Sequence, residues 1–164
     1  MDDQEFTEWA AGCQHSLLRS AYLLTGDMHR AQDLVQEALV KVALRWPRLR
    51  DQNPTAYARQ IVVRDNVNWW RRRRETTGTE PDLTVPDNVS SDPATALVVR
   101  QALMRLTRAQ RAVLVLRHLD DLSERETAAV LGVSIGTVKS QNAAALARLR
   151  TGAPELLDLT GDSP

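Results

Sequence analysis

The chain has 164 residues, with 21 basic and 21 acidic side chains and therefore no net charge, enough for one ordinary domain or two small ones. Hydrophobic residues at 43% and charged residues at 26% are the proportions of a folded globular protein and exclude wholesale disorder. A single cysteine, Cys13, excludes a disulfide scaffold, and His15, His29 and His118 sit at no metal-ligand spacing, so neither a metal nor a cofactor is expected.

The first residues are acidic (Asp2, Asp3, Glu5), unlike a secretory leader, and no apolar run approaches the ~20 residues that span a bilayer. A cytoplasmic protein without membrane insertion is expected. From Phe6 the apolar residues Trp9, Ala10, Cys13, Leu17, Ala21 and Leu24 recur at three- and four-residue steps, the spacing of one amphipathic helix. Thr25-Gly26-Asp27 reads as a stop and restart, because glycine closes helices and aspartate opens them. A second helix carries Ala31, Leu34, Val35, Ala38, Leu39 and Val42 on one stripe. Pro47 and Pro54 bracket a loop, and Pro54 or Thr55 starts a third long helix that reaches an arginine run. Residues 76–93 follow, with Pro81, Pro86 and Pro93, four acids (Glu80, Asp82, Asp87, Asp92) and no basic residue. That composition predicts an acidic, flexible linker.

Beyond it, Ala94 to Leu106 and Arg108 to Leu119 predict two more helices. The most informative stretch runs from Leu122 to Arg150. Ser123 with Glu126 three residues on forms a capping box. Gly132 suits a left-handed turn, Ala128 leaves room for a close helix crossing, Ser134 can cap the next helix, and Val138, Ala145, Leu146 and Leu149 mark its inner face. A short helix, a glycine turn and a longer helix predict a helix-turn-helix. In that motif the start of the second helix faces base edges, which makes Ser134, Ile135, Gly136, Thr137, Lys139, Ser140, Gln141 and Ala144 the candidate DNA-binding residues. Gln pairs with adenine, a Thr methyl touches thymine and Lys reaches guanine or phosphate; the bland alternative leaves Lys139 and Ser140 merely solvated.

Zero net charge argues against a nucleic-acid binder, but its distribution argues for one. Residues 56–74 hold six basic side chains against Asp65, and residues 94–151 hold nine (Arg100, Arg105, Arg108, Arg111, Arg117, Arg125, Lys139, Arg148, Arg150) against four acids. In the first module Asn68-Trp69-Trp70 runs into Arg71, Arg72, Arg73 and Arg74. Aromatic rings beside guanidinium groups can stack unpaired bases while holding phosphates; alternatively one tryptophan belongs to the core. Asp33 and Glu37 share a helix face but have no base, metal partner or nucleophile beside them, so no enzyme is expected.

Taken together, Asp33-Leu34-Val35-Gln36-Glu37-Ala38, Asn68-Trp69-Trp70-Arg71-Arg72-Arg73, Leu122-Ser123, Leu131-Gly132-Val133-Ser134 and Gly136-Thr137-Val138-Lys139-Ser140 keep the order and spacing of a known family. The chain resembles the small bacterial sigma factors of the extracytoplasmic-function type, and looks closest to the sigma-E-like versions common in actinobacteria; the similarity spans roughly Glu5 to Arg150. The resemblance implies an all-α fold of two small helical domains: a region-2 bundle over residues 1–75, the linker over 76–93, a region-4 helix-turn-helix over 94–151 and an acidic tail over 152–164. It implies that Asp33, Leu34, Val35, Gln36 and Glu37 dock on the β′ clamp helices of core RNA polymerase, with the β flap a further contact. Trp46, Arg64, Asn68, Trp69, Trp70 and Arg71 to Arg74 would read and open the −10 element, and the helix-turn-helix would read −35. Promoter DNA and an anti-sigma factor are the other implied partners, with no small-molecule substrate. A stand-alone helix-turn-helix regulator and a polymerase-binding decoy are the alternatives. This chain departs from the family pattern at Arg64, where asparagine is common, and at Thr127 and Asn142, where apolar residues are usual. Its recognition helix is also less basic, with Gln141, Ala143 and Ala144.

Overall fold

The computed structural model describes residues 3–76 and 93–154, and all regular structure among them is helical. The chain divides into two compact units, Met1–Thr84 and Val85–Pro164. Most of the acidic segment between the modules (77–92) and most of the acidic tail (155–164) lie outside the described residues.

In the first unit, α1 (Asp3–Thr25) and α2 (Met28–Ala43) form a helical hairpin. Its turn closes as the sequence implies. Gly26 takes a left-handed φ of 73°, which costs a residue without Cβ little, and the Asp27 carboxylate accepts from the Arg30 amide at 3.1 Å. The hairpin buries Cys13, Leu17, Ala21 and Leu24 of α1 against Ala31, Leu34, Val35, Ala38 and Val42 of α2. The long α4 (Pro54–Thr76) packs across both, contributing Ala58, Ile61, Val62 and Val63. Between α2 and α4 the proline-bracketed loop is partly helical, with α3 spanning Trp46–Leu49.

Trp46 is buried against Phe6 and Trp9, with ring centroids 5.3 Å from each. Trp9 donates its indole N–H to Thr55 Oγ1 at 3.1 Å. This aromatic cluster joins the start of α1 to the loop and to the first turn of α4.

The second unit contains α5 (Pro93–Met104), α6 (Arg108–Leu114), α7 (Glu124–Leu131) and α8 (Ile135–Gly152). The sequence reads Arg108–Leu119 as one helix; the structure corrects this, because α6 ends at Leu114 and Val115–Leu119 form a π-helical turn. Residues 111–116 are all buried in succession, a run that one amphipathic α-helical face cannot supply. The wider turn moves the buried face along by one residue, with Asp120 N donating to Val115 O at 3.0 Å.

Two cations counted toward the basic module are also inside the fold. Arg100 and Arg111 are buried. Arg111 caps the end of α5, donating from Nε to Leu103 O at 2.9 Å and from Nη2 to Leu106 O at 3.2 Å. Leu103 O accepts the Leu106 amide as well, at 3.1 Å, and a cation suits the negative end of the helix dipole. The structure thus removes both from any surface that could meet a phosphate.

Candidate nucleic-acid interface

The helix-turn-helix geometry is built from short-range bonds. Ser123 and Glu126 cap each other reciprocally, Glu126 N to Ser123 Oγ at 3.1 Å and Ser123 N to Glu126 Oε2 at 2.7 Å. α7 ends at Gly132 with a left-handed φ of 67°. Ser134 then caps α8, accepting from Thr137 N at 3.1 Å. Val138 plugs the joint, fully buried against Val113 and Ala128 with Leu131 beside them. Ala145, Leu146 and Leu149 continue the inner face.

This anchoring turns the opposite face of α8 outward. Ser134, Ile135, Gly136, Thr137, Lys139 and Ser140 are exposed, and Gln141 and Ala144 are half-buried at its flank. The polar heads make bonds within the unit: Ser140 Oγ donates to Thr137 O at 3.0 Å, the Ser134 and Thr137 hydroxyls lie 2.9 Å apart, and Lys139 Nζ is 3.7 Å from Glu124 Oε2. A Cβ added at Gly136 would meet only Ser134 Oγ, at an ordinary 3.8 Å. The fold therefore has room for a larger residue at that exposed position.

Asn142, out of pattern for an inner position, has a structural partner. Its Oδ1 lies 3.0 Å from His118 Nε2 on the π turn, tying that turn to the middle of α8. Thr127 has none: it is fully buried and its hydroxyl meets no hydrogen-bond partner.

In the first unit the Asp33-to-Glu37 segment splits between two environments. Asp33, Gln36 and Glu37 are exposed, whereas Leu34 and Val35 are 0% and 2% exposed and belong to the core. The outer surface near them is extended by Val40 and Leu44, 57% and 79% exposed, which sequence reasoning missed. Their signal was available, since both are large apolar residues off the buried stripe of α2.

On α4, Arg64 and Arg72 are exposed and Asn68 and Trp69 half-buried. Val67, 56% exposed, stands between Arg64 and Asn68 in sequence. The backbone at Trp70, Arg71, Arg73 and Arg74 is helical, and their side chains lie outside the described residues. Trp46 is not brought to this surface; its ring belongs to the aromatic cluster.

Burial shifts two ionisable groups here. Desolvation pushes the Cys13 thiol up from its ordinary value of 9.0. Burial also lowers the Arg30 guanidinium, while the nearby Glu37, Asp33 and Asp65 carboxylates act in the opposite direction. Among the described residues no cluster of three or more His, Cys, Asp or Glu side chains could hold a metal ion.

Comparison with known proteins gives a consistent result. Residues 11–76 match the model of sigma-70 region 2, and residues 96–149 match that of sigma-70 region 4. An RNA polymerase sigma-E factor of Streptomyces avermitilis is 44% identical over 150 residues, covering 89% of this chain and 83% of that protein. The extracytoplasmic-function RNA polymerase sigma factor SigM of Mycobacterium tuberculosis is 35% identical over 136 residues, covering 81% of this chain and 69% of that one. The sigma factor RpoE of Bartonella quintana, solved with the anti-sigma factor NepR, shares the fold with a TM-score of 0.70 at 24% identity, over 96% of this chain and 99% of that one.

Proposed function

The chain belongs to the sigma-70 family of RNA polymerase sigma factors, in its extracytoplasmic-function group, and we propose that it directs core RNA polymerase to promoters through two separate surfaces. Residues 1–75 would hold polymerase and open the −10 element, residues 94–151 would read −35, residues 76–93 would join them, and residues 152–164 would form the tail. The observation that carries this reading is the order of the two matched regions together with the outward face of α8, which is apolar-anchored behind and polar in front.

The polymerase surface is Asp33, Gln36 and Glu37 with the exposed Val40 and Leu44. Leu34 and Val35 act beneath it by holding α2 against the core. Carboxylates around an apolar patch suit a basic-rimmed apolar partner, here the β′ clamp helices, with the β flap as a second contact. On α4, Arg64, Asn68, Trp69 and Arg72, with Trp70, Arg71, Arg73 and Arg74, form the −10 surface. Taking a base from the stack costs a few kcal/mol, which stacking on an aromatic ring offsets by about 1–3 kcal/mol per base.

Trp46 supports that surface by holding the preceding loop to α1. On α8, Ile135, Thr137, Lys139, Ser140 and Gln141 face the major groove, with Ser134 and Gly136 at the helix start and Ala144 at the edge. Each surface binds weakly alone, and joining them raises the effective concentration of the second contact. No described helix is long and apolar enough to cross a membrane, and the protein works where polymerase does, in the cytoplasm. An anti-sigma factor is the proposed regulator, by analogy with the bound partner of the Bartonella structure.

The deciding experiment is run-off transcription with purified core polymerase on fragmented genomic DNA. New discrete starts that depend on the protein are expected. Core binding without starts would leave a decoy, and neither binding nor starts would leave a free-standing regulator.

A further inference from the structure

α2 carries the proposed polymerase surface and the distal half of α4 carries the proposed DNA-opening surface, and Arg30 of α2 reaches Trp69 across the two helices. Arg30 sits one turn before Asp33 and two before Glu37. Its guanidinium lies over the Trp69 ring, 4.9 Å from the centroid. Its Nη2 is 3.4 Å from the Asp65 carbonyl oxygen, one turn earlier on α4. Its Nε is buried with no hydrogen-bond partner. Beside it, Lys41 of α2 pairs with the Asp65 carboxylate at 2.6 Å.

We propose that Arg30 is a positioning residue that ties α2 to the DNA-opening end of α4 by stacking on Trp69. A partly buried arginine usually fills its donors with carboxylate or carbonyl oxygens. Here one donor nitrogen goes unmet while the guanidinium carbon lies over an aromatic ring. A guanidinium attracted to a ring face gains most where water is excluded, and its planar shape is what a lysine cannot reproduce.

The tie has a defined consequence. Trp69 is held through one face, and its orientation follows α2, the helix that docks on polymerase. A ring already in place captures a base more favourably, because an unheld indole loses rotamer freedom on binding. Arg30 touches neither base nor phosphate in this scheme and acts through Trp69. The proposal rests on the sigma-factor reading for its consequence in promoter opening, and on the structure alone for the stack.

The test therefore has two arms, both on the full chain. In the first, ¹H–¹⁵N spectra display the indole N–H signals of the four tryptophans, and Trp69→Phe identifies that of Trp69. Arg30→Ala and Arg30→Lys are expected to move the Trp69 signal and leave those of Trp9 and Trp46 in place. In the second, Arg30→Ala should bind core polymerase within about twofold of the unaltered protein, yet form about tenfold fewer open complexes on a duplex promoter. Arg30→Lys should fall between.

A Trp69 signal unmoved by Arg30→Ala overturns the proposal whatever polymerase does. Undiminished opening by Arg30→Ala also overturns it, as does a loss of opening that merely parallels a loss of core affinity. If the unaltered protein opens no promoter at all, the sigma-factor reading fails, and the spectra still decide whether the stack exists.

Discussion

Replacing Thr127 by valine should stabilise the second unit. Thr127 is 0% exposed and its Oγ1 has no hydrogen-bond partner. An unpaired buried hydroxyl costs about 1–3 kcal/mol. Valine has nearly the same shape and similar helix propensity, so neither packing nor backbone preference changes much. The net gain should be about 1 kcal/mol, which for a unit of this size raises Tm by about 4–8 °C.

The assay follows from the distribution of aromatic residues. Every tryptophan, tyrosine and phenylalanine lies at or before Trp70, so tryptophan fluorescence reports the first unit alone. Far-UV ellipticity reports both. Urea melts followed by both probes should place the gain in the ellipticity curve. A midpoint unchanged or lowered by Thr127→Val would refute the reasoning, because it would mean that the hydroxyl has a partner in solution.

Other expectations follow from the same geometry. Gly136→Ala should stabilise α8 by up to about 1 kcal/mol, since a Cβ has room and glycine weakens a helix, yet weaken −35 footprinting by the holoenzyme if the backbone approaches DNA there. Lys139→Gln should make the salt dependence of promoter binding shallower by about one phosphate contact, a log–log slope change of roughly 0.9, read from filter binding across a salt series. Trp46→Ala should cost about 3–5 kcal/mol in the fluorescence-monitored melt, because it empties the aromatic cluster. For Cys13, whose folded-state value lies above its ordinary 9.0, the contribution to stability is whole below that value. It is lost as pH climbs from there toward the folded-state value, because the unfolded chain ionises first. The urea midpoint should therefore fall more steeply above about pH 9 for the natural protein than for Cys13→Ala.

What the sequence by itself determined are the features closed by bonds within a few residues. Gly26 and Asp27 at the first turn, the Ser123–Glu126 box, the left-handed Gly132 and the Ser134 cap stand in the structure as read, because each involves partners no more than four positions apart. The helical stripes were legible for the same reason, since a 3.6-residue period is a local property. Within the candidate site, the order of motifs along α8 could be read directly, because Val138 and its inner-face companions fix which side turns outward.

The tertiary structure alone decided which amphipathic side chains went inward. Trp46, Arg100 and Arg111 looked like a binding residue and two surface cations, and all three are buried. Nothing local distinguishes a tryptophan that stacks on a base from one that stacks on Phe6, or an arginine that meets phosphate from one that caps the carbonyls of α5. The π turn escaped the sequence because it arises from the need to bury six successive residues against several helices at once. Arg30 with Trp69, and His118 with Asn142, are separated by 39 and 24 positions. Their pairing depends on how whole helices cross, and helix crossings are set by the summed shape of the buried faces rather than by any short motif.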